Sequence, residues 1–351
     1  MNIKYKLKSV KEDFIVNEVS LLPCFCSEEE SEFTYIVLKK GGMTTFDAIG
    51  DLKKFFDLEY GDIVVEGLKD EDGITTQLIS VKKILKPASI VKFNKIFAKN
   101  KEYSLEIVGV TGYGKQPLIP RSLHGNTFEI VIRNIKRQTA EKFAKFCLDN
   151  RYINFINYYD NQRFGIAGGI YNTHLIGKFI VDEDWERAFE EFKKSKNEEL
   201  KTLGVVKKID AKNCREIFKK LNPSKVSFFI SSYESHIWNN NVSSYLKKNK
   251  LGDEFSFPKL GMLAVPKNNI FEISNIFSCE GYYFDKEKFI ATKKKKERNL
   301  LVSTTVFPLQ IEKDEINKSK YKITISFFLP TGCYATMLIK QIFLKLESHE
   351  G

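Results

Sequence analysis

Hydrophobic and polar positions alternate at two periods along this chain, and the switches between them mark its elements. Residues 4–18 alternate as an opening strand does, with Phe14 and Val16 on one face. Phe33 to Leu38 is β-branched and aromatic, a second strand that Gly41-Gly42 breaks. The period then lengthens: Ala48, Ile49, Leu52, Phe55 and Phe56 fall on one side of a helix that Thr44 or Thr45 can cap. Asp62 to Val65 and Ile74 to Val81 are short strands joined by a tight turn containing Gly67 and Gly73. Phe128 to Ile135 alternates again, and Thr139 to Asp149 is a helix with Phe143, Phe146 and Cys147 inward.

From Ile166 to about Leu300 the pattern becomes helical and charged, with helices at Trp185 to Lys196, Asn213 to Leu221 and Pro223 to Asn240. The last of these has Asn222 as its cap and Pro223 in its first turn. Strand alternation returns at Lys322 to Leu329, and Thr336 to Leu346 closes the chain as a helix. The returning strand should complete the first sheet. The expectation is an α+β protein with a mostly antiparallel catalytic sheet and helices. Residues 1–160 and 303–351 would form that domain, interrupted by an inserted, largely helical domain at 161–302.

Composition narrows the class. A chain of 351 residues, 42% hydrophobic and 13% aromatic, is globular and long enough for two domains. Its net charge of +11 favours a polyanionic partner without separating RNA from DNA or an anionic membrane surface. No apolar run approaches a membrane span, and lysines stand where a signal peptide needs an apolar stretch, so a soluble, cytoplasmic protein is expected. Cysteines 24, 26, 147, 214, 279 and 333 and histidines 124, 174, 236 and 349 show no zinc spacing. Neither a metal nor a disulfide framework is expected.

Charge is concentrated in two places. Lys82 to Lys101 holds seven lysines (82, 83, 86, 92, 95, 99, 101) and no acid, with Ile84, Leu85, Phe93, Ile96 and Phe97 as anchors for a basic face. Lys293 to Arg298 is the densest run, expected as a mobile loop on a side RNA could approach. Gly109, Gly114 and Lys115 fit a phosphate-loop spacing, but Gln116 stands where Ser or Thr would hold magnesium and Pro117 blocks the helix that should follow. No nucleotide cofactor is expected. Ser235-His236 has no acidic third member at an obvious spacing, so a hydrolase is disfavoured.

The candidate chemistry lies in the turn between the two short strands, where Lys69 and Asp70 stand side by side. A loop between strands fixes the direction of a carboxylate, although such a pair is more often a solvated turn. Arg163, in the aromatic stretch Tyr158 to Gly165, suits a phosphate or base as well as a carboxylate.

Five motifs decide between these readings. Gly67-Leu68-Lys69-Asp70 with Ile74-Thr75-Thr76-Gln77 resembles the catalytic motif of the TruD family of pseudouridine synthases. The others, in the family's order, are Glu12-Asp13-Phe14-x-Val16-x-Glu18, Gly125-Asn126-x-Phe128, Asn157-Tyr158-Tyr159-x-x-Gln162-Arg163-Phe164-Gly165 and Leu329-Pro330-x-Gly332-x-Tyr334-Ala335-Thr336. The resemblance spans nearly the whole chain. It implies a pseudouridine synthase-like fold and isomerisation of uridine to pseudouridine in tRNA, at position 13, with no cofactor. It implies Asp70 as covalent nucleophile and Lys8 near it; a cation there favours the ionised, nucleophilic carboxylate. It assigns Asn126 to positioning the catalytic loop, and Phe14, Phe128 and Tyr334 to the uridine pocket, with Phe128 stacking on the base. Lys69 and Arg163 are expected among the substrate contacts.

The chain departs from the family pattern at Glu71-Asp72-Gly73, where a basic residue and an Ala are common, and at Gln341, where Glu is common. Two extra acids weaken the local attraction for RNA. The rival function is a noncatalytic RNA-binding protein on the same scaffold; retention of Asp70, Lys8, Asn126 and Phe128 speaks against it.

Overall fold

The computed structural model describes residues 4–21, 24–97, 103–119, 123–165, 170–194, 210–221, 223–266 and 275–348. The chain divides into two compact units: Asn2–Ile153 with Thr304–Gly332, and Asn154–Ser303 with Cys333–Gly351.

The first unit is built on an eight-stranded sheet. Its strands are β1 (Phe14–Ser20), β2 (Phe33–Gly41), β3 (Ile63–Val65), β4 (Ile74–Val81), β5 (Ser104–Gly114), β6 (Leu123–Ile135), β13 (Val306–Lys313) and β14 (Tyr321–Pro330). Their order is β13-β14-β6-β1-β4-β2-β5, with β3 also on β4. All ladders are antiparallel except β1 with β4, which run parallel over Ile15–Asn17 and Ile74–Thr76. The sheet is thus mostly antiparallel, as expected, and β14 completes it. Gly109 to Gly114, which carries the phosphate-loop spacing, belongs to β5 and pairs with β2.

Helix α1 (Thr45–Phe56) starts at a capping box in which the Thr44 hydroxyl accepts from the Asp47 amide and the Asp47 carboxylate accepts from the Thr44 amide. Its buried Ala48, Ile49, Leu52 and Phe56 pack with Ile36, Leu38, Ile79 and Val81 of the sheet. Helix α2 (Pro87–Phe97) adds Phe93, which stacks on Phe56. The opposite phase of β4 is covered too, since Leu78 packs with Phe33, Tyr35 and Leu118. Burial on both faces leaves every residue from Gln77 to Val81 of this strand buried. Helix α3 (Arg137–Asp149) lies against β13 and β14.

The second unit opens with β7 (Ile153–Ile156), which pairs with β12 (Leu301–Thr304). Between them come α4 (Thr173–Val181), α5 (Trp185–Lys194), α6 (Ala211–Lys220), α7 (Pro223–Lys248) and two hairpins. The hairpins pair β8 (Asp253–Phe257) with β9 (Gly261–Val265), and β10 (Ile276–Asp285) with β11 (Ile290–Asn299). The insertion is therefore helical in its first half and β in its second. Lys293 to Arg298, expected as a mobile loop, forms most of β11. Three of its four lysines pair with nearby acids: Lys293 with Glu280, Lys295 with Glu297 and Lys296 with Glu234. Helix α7 is longer than expected because its inward positions continue past Asn240 through Val242 and Leu246. Its expected cap Asn222 and the end of α5 beyond Lys194 lie outside the described residues.

Helix α8 (Ala335–Ser348) groups with the second unit, whereas the sequence pattern assigns residues 303–351 to the first. The physical reason is local. Met337 and Leu344 share a core with Trp238, Phe257 and Leu263, and the Gln341 side chain bonds both ways with the Ile156 backbone at 2.8 Å.

Candidate active site

Residues directly opposite on paired strands share a face of a sheet. The register therefore places Lys40 (β2), Thr75 (β4), Val16 (β1), Phe128 (β6) and Phe327 (β14) in one row across five strands. Phe14 lies on the same face of β1, and Glu18, Asn126 and Leu329 form the neighbouring row. Phe14 meets Phe128 edge-on with centroids 6.1 Å apart, and Phe128 stacks on Phe327 at 5.2 Å. All three are buried, so the aromatic residues form a packed floor.

Above it runs the loop from Gly67 to Gly73, between β3 and β4. Three groups hold its backbone. The Lys69 amide donates to Thr45 Oγ1 (3.0 Å), Gln77 Nε2 donates to the Gly67 carbonyl (3.3 Å), and Lys40 Nζ donates to the Asp70 carbonyl (2.7 Å). The Lys69 side chain turns inward onto Glu18, with Nζ 2.5 Å from Oε2, and both side chains are buried. Glu18 Oε1 also accepts from the Leu78 amide and the Ser20 hydroxyl, so one carboxylate joins the loop to β1 and β4. The sequence places Lys69 among the substrate contacts; its amine is instead committed to this internal pair. At the end of the loop, a Cβ on Gly73 would lie 2.5 Å from the Phe14 carbonyl oxygen. Only glycine lets the backbone come this close, which accounts for Gly73.

Asp70 is the group this scaffold presents. Its side chain is 34% exposed, and Lys8 Nζ stands 3.0 Å from its Oδ2 and 4.2 Å above the Phe14 ring. Lys8 has a left-handed backbone (φ 56°) that favours glycine, so something must hold the turn. Asp13 does so: its Oδ2 accepts from the amides of Ser9 (3.0 Å) and Val10 (3.2 Å). Asp13 is in turn gripped by Arg133 Nε at 2.8 and 2.9 Å, and Arg133 pairs also with Asp314 and Glu315. A buried arginine with three carboxylates thus underlies the lysine beside Asp70. Burial alone would push the Asp314 carboxyl up. The amides of Asn134, Ile316 and Asn317 and the Asn317 side chain outweigh it and hold the group down at about 2.

Asn126 Oδ1, Thr75 Oγ1 and Gln77 Oε1 are buried without a hydrogen-bond partner among the described residues. Unpaired buried acceptors are uncommon and mark places where a donor is missing. Asn126 shares its row with Glu18, so its free acceptor belongs to the same face as Phe14 and Phe128.

Arg163 and Tyr334 belong to the second unit. Arg163 bonds to the hydroxyls of Ser235 (Nε, 3.1 Å) and Ser231 (2.6 Å) and faces the rings of Phe228 and Tyr159. Among the described residues no carboxylate neutralises it, which leaves its charge for an anion. Ser235 gives its own proton to the Ser231 carbonyl, so it is a strut for Arg163. Tyr334 meets Tyr159 edge-on at 5.8 Å, and burial pushes its hydroxyl up to about 12. Asp160 is buried and fully occupied, by the Asn161 amide, Lys340 Nζ and the Thr336 hydroxyl. It is a structural carboxylate.

Lys40 escapes the sequence motifs and Asp13 stands in one of them without an assigned role, yet both carry a signal. Lys40 continues the inward phase of Ile36 and Leu38, so alternation alone marks it as a lysine pointing into the core. Asp13 precedes Phe14 by one and stands at a strand entrance, where a short carboxylate caps a turn. Among the described residues no cluster of three or more His, Cys, Asp or Glu is placed to hold a metal. No helix among them is long and apolar enough to cross a membrane.

The arrangement is a carboxylate on a braced hairpin, one amine at its side, above an aromatic floor. Such a group can attack an electrophilic carbon.

The family model of tRNA pseudouridine synthase D (TruD) matches residues 1–203. The chain is similar to "Probable tRNA pseudouridine synthase D 1" of Methanococcus maripaludis, 28% identical over 403 residues, covering 96% of this chain and 99% of that one. It is likewise similar to the tRNA pseudouridine synthase D of Leptospira interrogans, 26% identical over 411 residues, covering 97% and 96%. In fold it resembles a solved Methanosarcina mazei structure described as a TruD, with a TM-score of 0.61 and 20% identity, covering 97% and 94%.

Proposed function

The chain belongs to the TruD family of tRNA pseudouridine synthases, and from that premise we propose that it converts uridine 13 of tRNA to pseudouridine in the cytoplasm, with Asp70 as covalent nucleophile. Asp70 attacks the target nucleotide, and the bond between N1 of the base and C1′ of the ribose breaks. The freed uracil rotates and joins C1′ through C5; C5 then loses its proton, N1 gains one, and Asp70 is released. The reaction is an isomerisation and balances without an external group.

The observation that carries this reading is the Lys8–Asp70 pair, 3.0 Å apart at the rim of the Phe14 and Phe128 floor. Phe14 and Phe128 bound the uracil, and stacking on an aromatic ring contributes about 1–3 kcal/mol toward holding an extruded base. The free acceptor of Asn126 takes a donor from substrate or loop. Arg163, with no carboxylate partner among the described residues, takes a phosphate. Lys82, Lys86, Lys92 and Lys95 are exposed around α2 and offer charge to the RNA backbone. Lys83 is committed to capping α1, donating to the Phe56 carbonyl at 2.6 Å. Lys99 and Lys101 lie outside the described residues.

The test is incubation of purified protein with unmodified tRNA, followed by chemical mapping of pseudouridine. Modification at position 13 supports the proposal. Binding without any modification would favour the noncatalytic RNA-binding protein.

A further inference from the structure

Lys40 is fully buried, yet its amine meets main-chain carbonyls: that of Asp70 at 2.7 Å, of Met43 at 2.9 Å and of Lys69 at 3.4 Å. An ammonium withdrawn from water is unfavourable unless dipoles converge on it. Here two carbonyls come from the loop that carries the nucleophile and one from the turn that leads into α1. A methionine or leucine would satisfy the core at this position, since Ile36 and Leu38 precede it in the same phase of β2. The lysine therefore serves the carbonyls.

Resting on the reading of Asp70 as nucleophile, we propose that Lys40 is a positioning residue for the isomerisation: its ammonium pins the main-chain carbonyl of Asp70 and so fixes the direction in which the carboxylate meets the nucleotide. Asp70 is held from both ends. Lys8 engages the carboxylate and Lys40 the backbone from which it projects. The Lys69 amide on Thr45 and the Lys69 side chain on Glu18 hold the preceding residue, whereas Lys40 holds the main chain of Asp70 itself. A shift of about 1 Å in a reacting group is enough to lower a rate by on the order of 100-fold.

The tie depends on protonation. The charged groups facing Lys40 are Asp70 and Glu71 of the loop and Asp47 of α1, which favour its charge, and Lys69, which opposes it. Burial outweighs them and brings the amine down to about 8. Neutral Lys40 has one donor fewer and no charge to hold the carbonyls, so the pin loosens as pH rises through that value.

The experiment compares Lys40→Met with the parent protein, using unmodified tRNA at saturation in single-turnover reactions from pH 6.5 to 8.8, with tRNA affinity measured alongside. The parent is expected to slow toward the alkaline end. Lys40→Met is expected to bind tRNA within about threefold of the parent, to react at least tenfold more slowly at pH 7, and to lose the alkaline decline. A variant that reacts within threefold of the parent at pH 7, or keeps the parent's decline, overturns the proposal. If Lys40→Met does not fold, the parent decides: a rate that stays flat across the range overturns the proposal, and a decline supports it. Failure of the parent to make pseudouridine would instead overturn the assigned function.

Discussion

Lys8 Nζ sits 3.0 Å from Asp70 Oδ2 although the two residues come from opposite sides of β1, one before the strand and one from the hairpin beside it. Parallel pairing of β1 with β4 brings them together, because it sets the loop end at Gly73 against Phe14. Lys8→Met preserves most of the aliphatic stem and removes the cation. It should leave tRNA affinity unchanged and lower the saturated single-turnover rate by roughly 10- to 100-fold. Quench-flow with radiolabelled tRNA measures both.

The brace beneath Lys8 makes a second expectation. Asp13→Asn strips Arg133 of a buried charge partner and weakens the acceptor for the Ser9 and Val10 amides, so stability should fall by about 3–5 kcal/mol. Urea unfolding monitored by circular dichroism gives the value.

Acid should act on the same network. The Asp314 carboxyl is held at about 2 in the folded protein against an ordinary 3.8. The unfolded chain therefore binds this proton first as pH falls. Stability from this group is complete above about pH 4 and is lost as pH drops toward 2. Thermal melts from pH 5 to 2 should show that decline, and Asp314→Asn should flatten it.

Much of this is legible in the sequence, and the exceptions have physical causes. The strands that carry the site alternate cleanly because one face of each is buried, so Phe14, Val16 and Phe128 can be assigned to a face. The opposed roles of Lys69 and Lys40 cannot. Adjacent loop residues have no fixed phase, and only the fold shows Lys69 turned onto Glu18. Lys40 is readable by phase, yet a lysine at a strand end next to two glycines suggests solvent. Lys293 to Arg298 misleads because its strand faces water on both sides at most positions, leaving no apolar alternation to detect. Helix α8 follows a strand of the first unit directly in sequence, and nothing local reveals which core takes its apolar face.

The basic face gives a further expectation. Lys86, Lys92 and Lys95 are exposed and have no carboxylate partner among the described residues, whereas Lys293, Lys295 and Lys296 each have one. Replacing the first three by Ala should weaken tRNA binding and lower the salt slope by roughly 0.7 to 0.9 for each phosphate no longer neutralised. Replacing the second three should change the slope less. Filter binding from 50 to about 300 mM salt separates the two.

The central claim is that Asp70 forms the covalent bond to the nucleotide. Asp70→Asn keeps the volume and removes the nucleophilic charge, so the decisive measurement is pseudouridine formation by this variant on unmodified tRNA at saturation. The variant should unfold at the parent's temperature within a few degrees, bind tRNA comparably and yield no pseudouridine above the protein-free background. Turnover clearly above that background would contradict the account.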